Sequence, residues 1–196
     1  VADAIHAHGA LASIEINHGG CMADPRYNNG NKAIGPVSFV DEWGDEVIGM
    51  DEEMMDDVAN AFAEAVETVR DCGFDMAMIH CGHGWLLHQF LSPYYNTRTD
   101  EYGGSIEGRA KFPLMVIDRI RQRVGRSIAL DMRISGCEFI EGGLEIDDVV
   151  RFCKMVEDKV DMINVSAGAP WTKRMAISIF EERGINSEFS AAVKKV

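Results

Sequence analysis

The densest group of reactive side chains is His80-Cys81-Gly82-His83-Gly84-Trp85-Leu86-Leu87-His88-Gln89. Two imidazoles three residues apart at a strand end can turn their N–H groups into one pocket. Such a pair can hold a carbonyl or carboxylate oxygen and withdraw charge from it. The same spacing offers two ligands to a metal, with Glu15 or His18 as a third, and it also occurs in histidines that merely pack. Spacing alone leaves all three open. Arg133 lies two residues beyond Asp131, on the same face of an extended segment, so an ion pair between them competes with any role for Arg133 toward a ligand. In Asn96 to Ser105, Arg98 and Arg109 can pin Asp100 and Glu101 and organise a loop. His6, His8 and His88 read as incidental.

The elements that must carry these residues alternate. A short helical opening ends at His8-Gly9, and residues 10–17 (ALASIEIN) form a β-compatible run ending in His18-Gly19-Gly20. Apolar residues at spacings of three and four predict a helix from Met50 to Arg70 that Gly73 can close. Residues 74–80 (FDMAMIH) are a strand, and the segment from there to Gly104 is its exit loop. Ser105 can cap a helix running to about Arg123; residues 127–135 are a third strand, Asp147 to Val156 a helix, and residues 160–166 (VDMINVS) a fourth strand. A last helical stretch starts near Glu188.

Strand and helix repeated four times imply parallel strands with crossover helices. A doubly wound sheet would carry a Gly-rich phosphate turn after its first strand, and GxGxxG is absent. In a TIM (β/α)8 barrel the chemistry sits at the carboxyl ends of the strands, where His18, His80, His83, Arg133 and Ser166 all fall. The reading is an α/β fold, with the middle four β/α units of such a barrel in residues 1–196, forming one partial domain. The charge of −13 argues against nucleic acid and anionic membrane surfaces as partners. No run of ~18 to 20 apolar residues is present and no basic-then-apolar leader opens the chain, so a cytoplasmic protein is expected. Five scattered cysteines without a CxxC pair fit neither a disulfide framework nor a zinc ribbon.

The stretch HCGHGWLLHQFLSPYYNTRTDEYGGSIEGRAKF resembles the signature of the Old Yellow Enzyme family, the NADH:flavin oxidoreductases that include 2,4-dienoyl-CoA and enoate reductases. The resemblance extends in collinear order through SIEINHGG, GFDMAMIH, MRIS and VDMINVSAG, over nearly the whole chain. The Trp, Asn and Tyr choices look closest to the large bacterial members, which also include bile-acid-type enone reductases and trimethylamine dehydrogenase.

The resemblance implies an enzyme with FMN across the barrel mouth, reduced by NAD(P)H and passing hydride to an activated C=C bond of an enone, enoate or enoyl thioester. It implies a small-molecule substrate and a homo-oligomer when complete. An iron-sulfur cluster and FAD occur in longer relatives, but no cysteine cluster here could hold such a cluster. By the same resemblance, His80 and His83 bind the substrate oxygen, while Arg133, Glu15 and Gly168 contact the flavin, and no metal is required. Three departures stand out. Glu15 replaces the usual Gln. Cys21 replaces an Arg. Trp85 stands where many members place the tyrosine that protonates the substrate; an indole N–H cannot supply that proton, so water, Tyr27 or another tyrosine would. A metal-dependent barrel hydrolase or lyase using the HxxH pair, and a non-catalytic barrel fragment, are the alternatives.

Overall fold

The computed structural model describes residues 1–170 and 183–195. Four strands, β1 (Ser13–Ile16), β5 (Met76–Cys81), β6 (Ala129–Ser135) and β7 (Met162–Ser166), pair in that order and are parallel throughout. Between β1 and β5 the chain adds a small sheet of β2 (Ala33–Gly35), β3 (Phe39–Val40) and β4 (Glu46–Gly49), in the order β2-β4-β3. The helices are α1 (Ala2–His6), α2 (Glu52–Asp71), α3 (Leu86–Leu91), α4 (Ile106–Arg109), α5 (Lys111–Val124), α6 (Ile146–Val156) and α7 (Ser187–Val193).

Alternation along the strands separates two faces. Ala77, Ile79, Cys81, Leu130, Met132 and Ile134 are fully buried against the helices, joined by Met55, Phe62 and Val66 from α2 and by Ile117 and Ile120 from α5. The opposite face is the barrel interior. There the register sets Glu15, Met78, Asp131 and Met162 in one row, and His80, Arg133 and Asn164 in the next.

The α2 helix starts where Asp51 accepts the Met54 N–H at 2.8 Å, and Gly73 follows its end at φ +80°. At the amino ends of the strands, Asp75 accepts from the Ala12 N–H and contacts His6 Nε2, both at 2.7 Å, which ties α1 to the first two strands of the main sheet. His6 is thus an anchor. Among the described residues no helix is long and apolar enough to cross a membrane.

Two features depart from the sequence reading. The exit loop of β5 contains α3, six residues all buried, so no polar face marks it as a helix. Arg109 does not reach Asp100: it donates to Leu91 O and Gly104 O, both at 2.6 Å, and pairs with Asp148, while Arg98 holds Asp100 and Lys111 holds Glu101. Desolvating a guanidinium demands acceptors, and the α6 carboxylate provides one inside the fold where Asp100 lies outside it.

Phe112 is fully buried, with its ring 4.5 Å from that of Phe90, where α5 meets α3. Phe112→Ala is expected to lower unfolding stability by ~3–5 kcal/mol, read as a shift in the urea midpoint at constant slope.

Candidate functional site

The site grows out of the carboxyl end of β5. His80 is the last inward-facing residue of that strand and is 5% exposed; beyond Cys81 the chain turns sharply. His83 has φ +56° and Gly84 φ +76°, so two consecutive residues are left-handed. For His83 that conformation costs roughly 1–2 kcal/mol, which its surroundings must offset. The His83 N–H donates to Ser135 Oγ at 3.0 Å, and Ser135 in turn donates to Gly168 O at 2.8 Å. The ends of β6 and β7 therefore hold the turn after β5.

This turn brings the two imidazoles together. His80 Nε2 lies 3.0 Å from His83 Nδ1, His80 Nδ1 lies 2.9 Å from Glu15 Oε1, and His83 Nε2 lies 2.9 Å from Ser166 Oγ. The row Glu15–His80–His83–Ser166 thus crosses from β1 to β7. His80 Nδ1 lies at ion-pair distance from Glu15 but without hydrogen-bond alignment; a carboxylate there still draws the ring proton to Nδ1, which leaves Nε2 to accept from His83 Nδ1–H. His83 Nε2 then accepts from the Ser166 hydroxyl. Burial lowers the pKa of His80, with Glu15 partly opposing it. Burial, followed by the neighbouring His80 and Arg133, pushes His83 down to about 4. Both rings are neutral at pH 7, and Trp85 stands edge-on to His80, with centroids 6.4 Å apart.

The sequence reading had both ring N–H groups free for a ligand. The structure turns the two rings onto each other, so an incoming oxygen must displace the His80–His83 contact. Ser166, noted before only as a polar strand end, is a member of this row.

Arg133 faces the same interior as His80, its register partner. The anticipated ion pair with Asp131 is absent: both carboxylate oxygens of Asp131 and the Nε of Arg133 are buried without a hydrogen-bond partner among the described residues. An unpaired buried donor costs about 1–3 kcal/mol, so Arg133 Nε calls for an acceptor that the described residues do not supply.

The other candidates divide. Glu15 is brought to His80 and keeps its carboxylate 42% exposed. Gly168 follows β7 at φ +93° and is buried, with its N–H given to Cys137 O at 2.7 Å and its carbonyl accepting from Ser135. Tyr27, expected as a proton donor, closes a short 3-10 turn (Pro25–Tyr27) and is 89% exposed, so the fold does not bring it to the histidine row. His18 accepts the Gly20 N–H at its Nδ1 and shapes the loop after β1. Among the described residues no three His, Cys, Asp or Glu side chains gather as a metal-binding group. His88, read as incidental, is fully buried on α3 against Glu138.

Parallel strands covered by helices on one face, with polar groups collected at the strands' carboxyl ends, are the construction of a (β/α)8-barrel enzyme. The chain belongs to the NADH:flavin oxidoreductase / NADH oxidase family, whose model matches residues 1–187. It is 34% identical over 173 residues to an NADH oxidase of Thermoanaerobacter brockii, covering 86% of this chain and 26% of that protein. Among solved structures, it superimposes on 2-naphthoyl-CoA reductase in complex with 2-naphthoyl-CoA at TM-score 0.89 and 26% identity, over 99% of this chain and 32% of that one. It also shares the fold of an old yellow enzyme homologue from Zymomonas mobilis, at TM-score 0.74 and 21% identity, over 84% of this chain and 50% of that one. The chain therefore spans half or less of the length of these proteins.

Burial raises the pKa of Asp131 above the ordinary aspartate value. The folded chain then binds that proton more tightly than the unfolded chain, so stability falls as pH rises from the unfolded value through the raised one. Asp131→Asn is expected to raise the urea midpoint at pH 7, with the gain shrinking toward pH 4. An equal gain at both pH values, or a loss at pH 7, would count against an uncompensated carboxylate.

Proposed function

We propose that the protein carrying this chain is an FMN-dependent NAD(P)H oxidoreductase that reduces an activated C=C bond, with residues 1–196 forming part of its flavin-binding barrel. The observation that carries the reading is the pairing of His80 and His83 at the end of β5, one strand away from an Arg133 whose Nε lacks an acceptor. An anionic or carbonyl-bearing ring edge suits that guanidinium, so the residues present fit a flavin. Bound FMN supplies the hydride chemistry; the remaining roles belong to the chain.

Arg133 would face the pyrimidine edge of the flavin and stabilise negative charge there. A residue without a side chain at Gly168 would permit close approach, and Glu15, whose side chain is partly exposed, would serve as an acceptor on the same side. His80 and His83 would take the substrate oxygen by exchanging their mutual bond for two N–H donors. For His80 this requires a proton on Nε2 as well as Nδ1; burial opposes that form and the Glu15 carboxylate at 2.9 Å only partly offsets it, so the charge of an electron-rich ligand oxygen must supply the rest. The same arrangement can hold a proton beside the substrate, a task that Trp85 cannot perform and that the exposed Tyr27 is not placed to perform. An enone, enoate or enoyl thioester presents the oxygen such a pair would bind. The likeness to 2-naphthoyl-CoA reductase supports the thioester end of that range.

The test uses the flavin-loaded protein and phenol, followed by perturbation of the flavin absorbance. His80→Ala with His83→Ala should leave flavin content unchanged. Phenol affinity should fall by roughly 100-fold or more, since two hydrogen bonds to a charged oxygen are worth ~3 to 6 kcal/mol together. An unchanged phenol titration would sink the assignment.

A further inference from the structure

Beneath the histidine row a second pair of ionisable side chains lies in the core. His88 and Glu138 have no exposed surface, yet their side chains carry polar atoms that the fold has to satisfy. The Gly84 N–H donates to His88 Nδ1 at 2.7 Å, so that nitrogen is an acceptor and the ring proton lies on Nε2. Nε2 is 3.1 Å from Glu138 Oε1. The other oxygen of Glu138 accepts from Ser92 Oγ at 2.6 Å and from the Leu144 N–H, and a Cβ on Gly143 would come within 2.7 Å of it. Burial alone would raise the Glu138 carboxyl, but the contacts with His88, Ser92 and Leu144 outweigh it and hold the group below the ordinary glutamate value. The neighbouring residue of α3 completes the arrangement: Gln89 Nε2 donates to Gly84 O at 2.6 Å. Both polar groups of the Gly84 peptide are thereby held by two consecutive side chains of one buried helix.

We propose that His88, with its tautomer fixed by the Gly84 N–H and its Nε2 facing the Glu138 carboxylate at ion-pair distance, is a positioning residue for the substrate-binding pair. It holds Gly84 so that His83 stays left-handed and its ring meets both His80 and Ser166. The carboxylate at the far side belongs to the segment after β6, the strand that carries Arg133. The lock therefore ties the loop presenting the imidazoles to the loop following the guanidinium. This inference rests on the reading of His80 and His83 as ligands of a substrate oxygen, and it names a residue that acts on them without touching substrate.

The experiment separates the two. An asparagine amide oxygen can replace Nδ1 of histidine but cannot reach Glu138; a glutamine amide nitrogen replaces Nε2 and leaves Gly84 without its acceptor; leucine keeps only bulk. In the flavin-loaded protein, His88→Leu and His88→Gln should each weaken phenol binding by about tenfold, the value of one lost hydrogen bond, while His88→Asn stays within about threefold of the unchanged protein. Equal weakening in all three, or none in any, overturns the proposal. If His88→Leu fails to fold, the contrast between Asn and Gln decides alone. Nitrogen-15 histidine spectra at pH 7 provide a second readout that needs neither flavin nor phenol. A resonance pair lost in the His88 variants should show protonated Nε2 and bare Nδ1, and the opposite tautomer overturns the inference. A protein that takes up neither FMN nor phenol while showing the expected tautomer would sink the flavin reading and leave the Gly84 lock standing.

Discussion

The site depends on a single backbone constraint: the chain leaving β5 must reverse within His83 and Gly84, in a conformation that an L-residue does not favour. Everything around the turn serves to hold it. Ser135 from β6 takes the His83 N–H, Gly168 from β7 takes the Ser135 hydroxyl, and α3 takes both polar groups of Gly84. Released from these partners, His83 would relax to an extended or helical conformation and its ring would leave His80 and Ser166. Strain at a point of function, compensated by a ring of unrelated elements, is the expected cost of presenting two imidazoles from one short turn.

The second determinant is electrostatic and follows from the parallel register. Because β5, β6 and β7 run in step, His80, Arg133 and Asn164 occupy one row, with Asp131 in the row below. Two neutral imidazoles beside a guanidinium with an idle Nε make a region that favours an electron-rich ligand. Asp131 beneath them is an acid in a place that disfavours its ionisation, and so competes weakly with any ligand for Arg133. Glu15 acts in the other direction, drawing the proton of His80 toward β1 and fixing which nitrogen faces His83.

Much of this could be read from the amino acids. Helices α2, α5 and α6 carry amphipathic patterns, and the four barrel strands are short apolar runs ending in polar residues, so their order followed from periodicity and the barrel type from the chemistry gathered at the strand ends. The histidine pair and Arg133 stood out through residue type, spacing and family resemblance. What escaped notice depends on distance in sequence or on burial. The α3 helix has no polar face. The strands of the small sheet are two to four residues long, below the length at which alternation is detectable. His88 looked incidental because its partner Glu138 lies fifty residues on, across two helices and a strand. Arg109 was assigned to the nearest acid in sequence, whereas the fold delivers Asp148. Tyr27 was a candidate by chemistry alone, and the structure leaves it exposed on a loop rather than bonded into the histidine row.

The claim that the chain is organised around a flavin turns on the Arg133 Nε, which has no acceptor among the described residues. The most direct measurement is titration of the flavin-free, full-length protein that carries this chain with FMN, followed by absorbance, for the unchanged sequence and for Arg133→Ala. The account predicts saturable uptake at one FMN per chain and a marked loss of affinity in the variant, with folded helix content preserved in both. Failure of the unchanged protein to bind FMN, or equal binding by both, would contradict it.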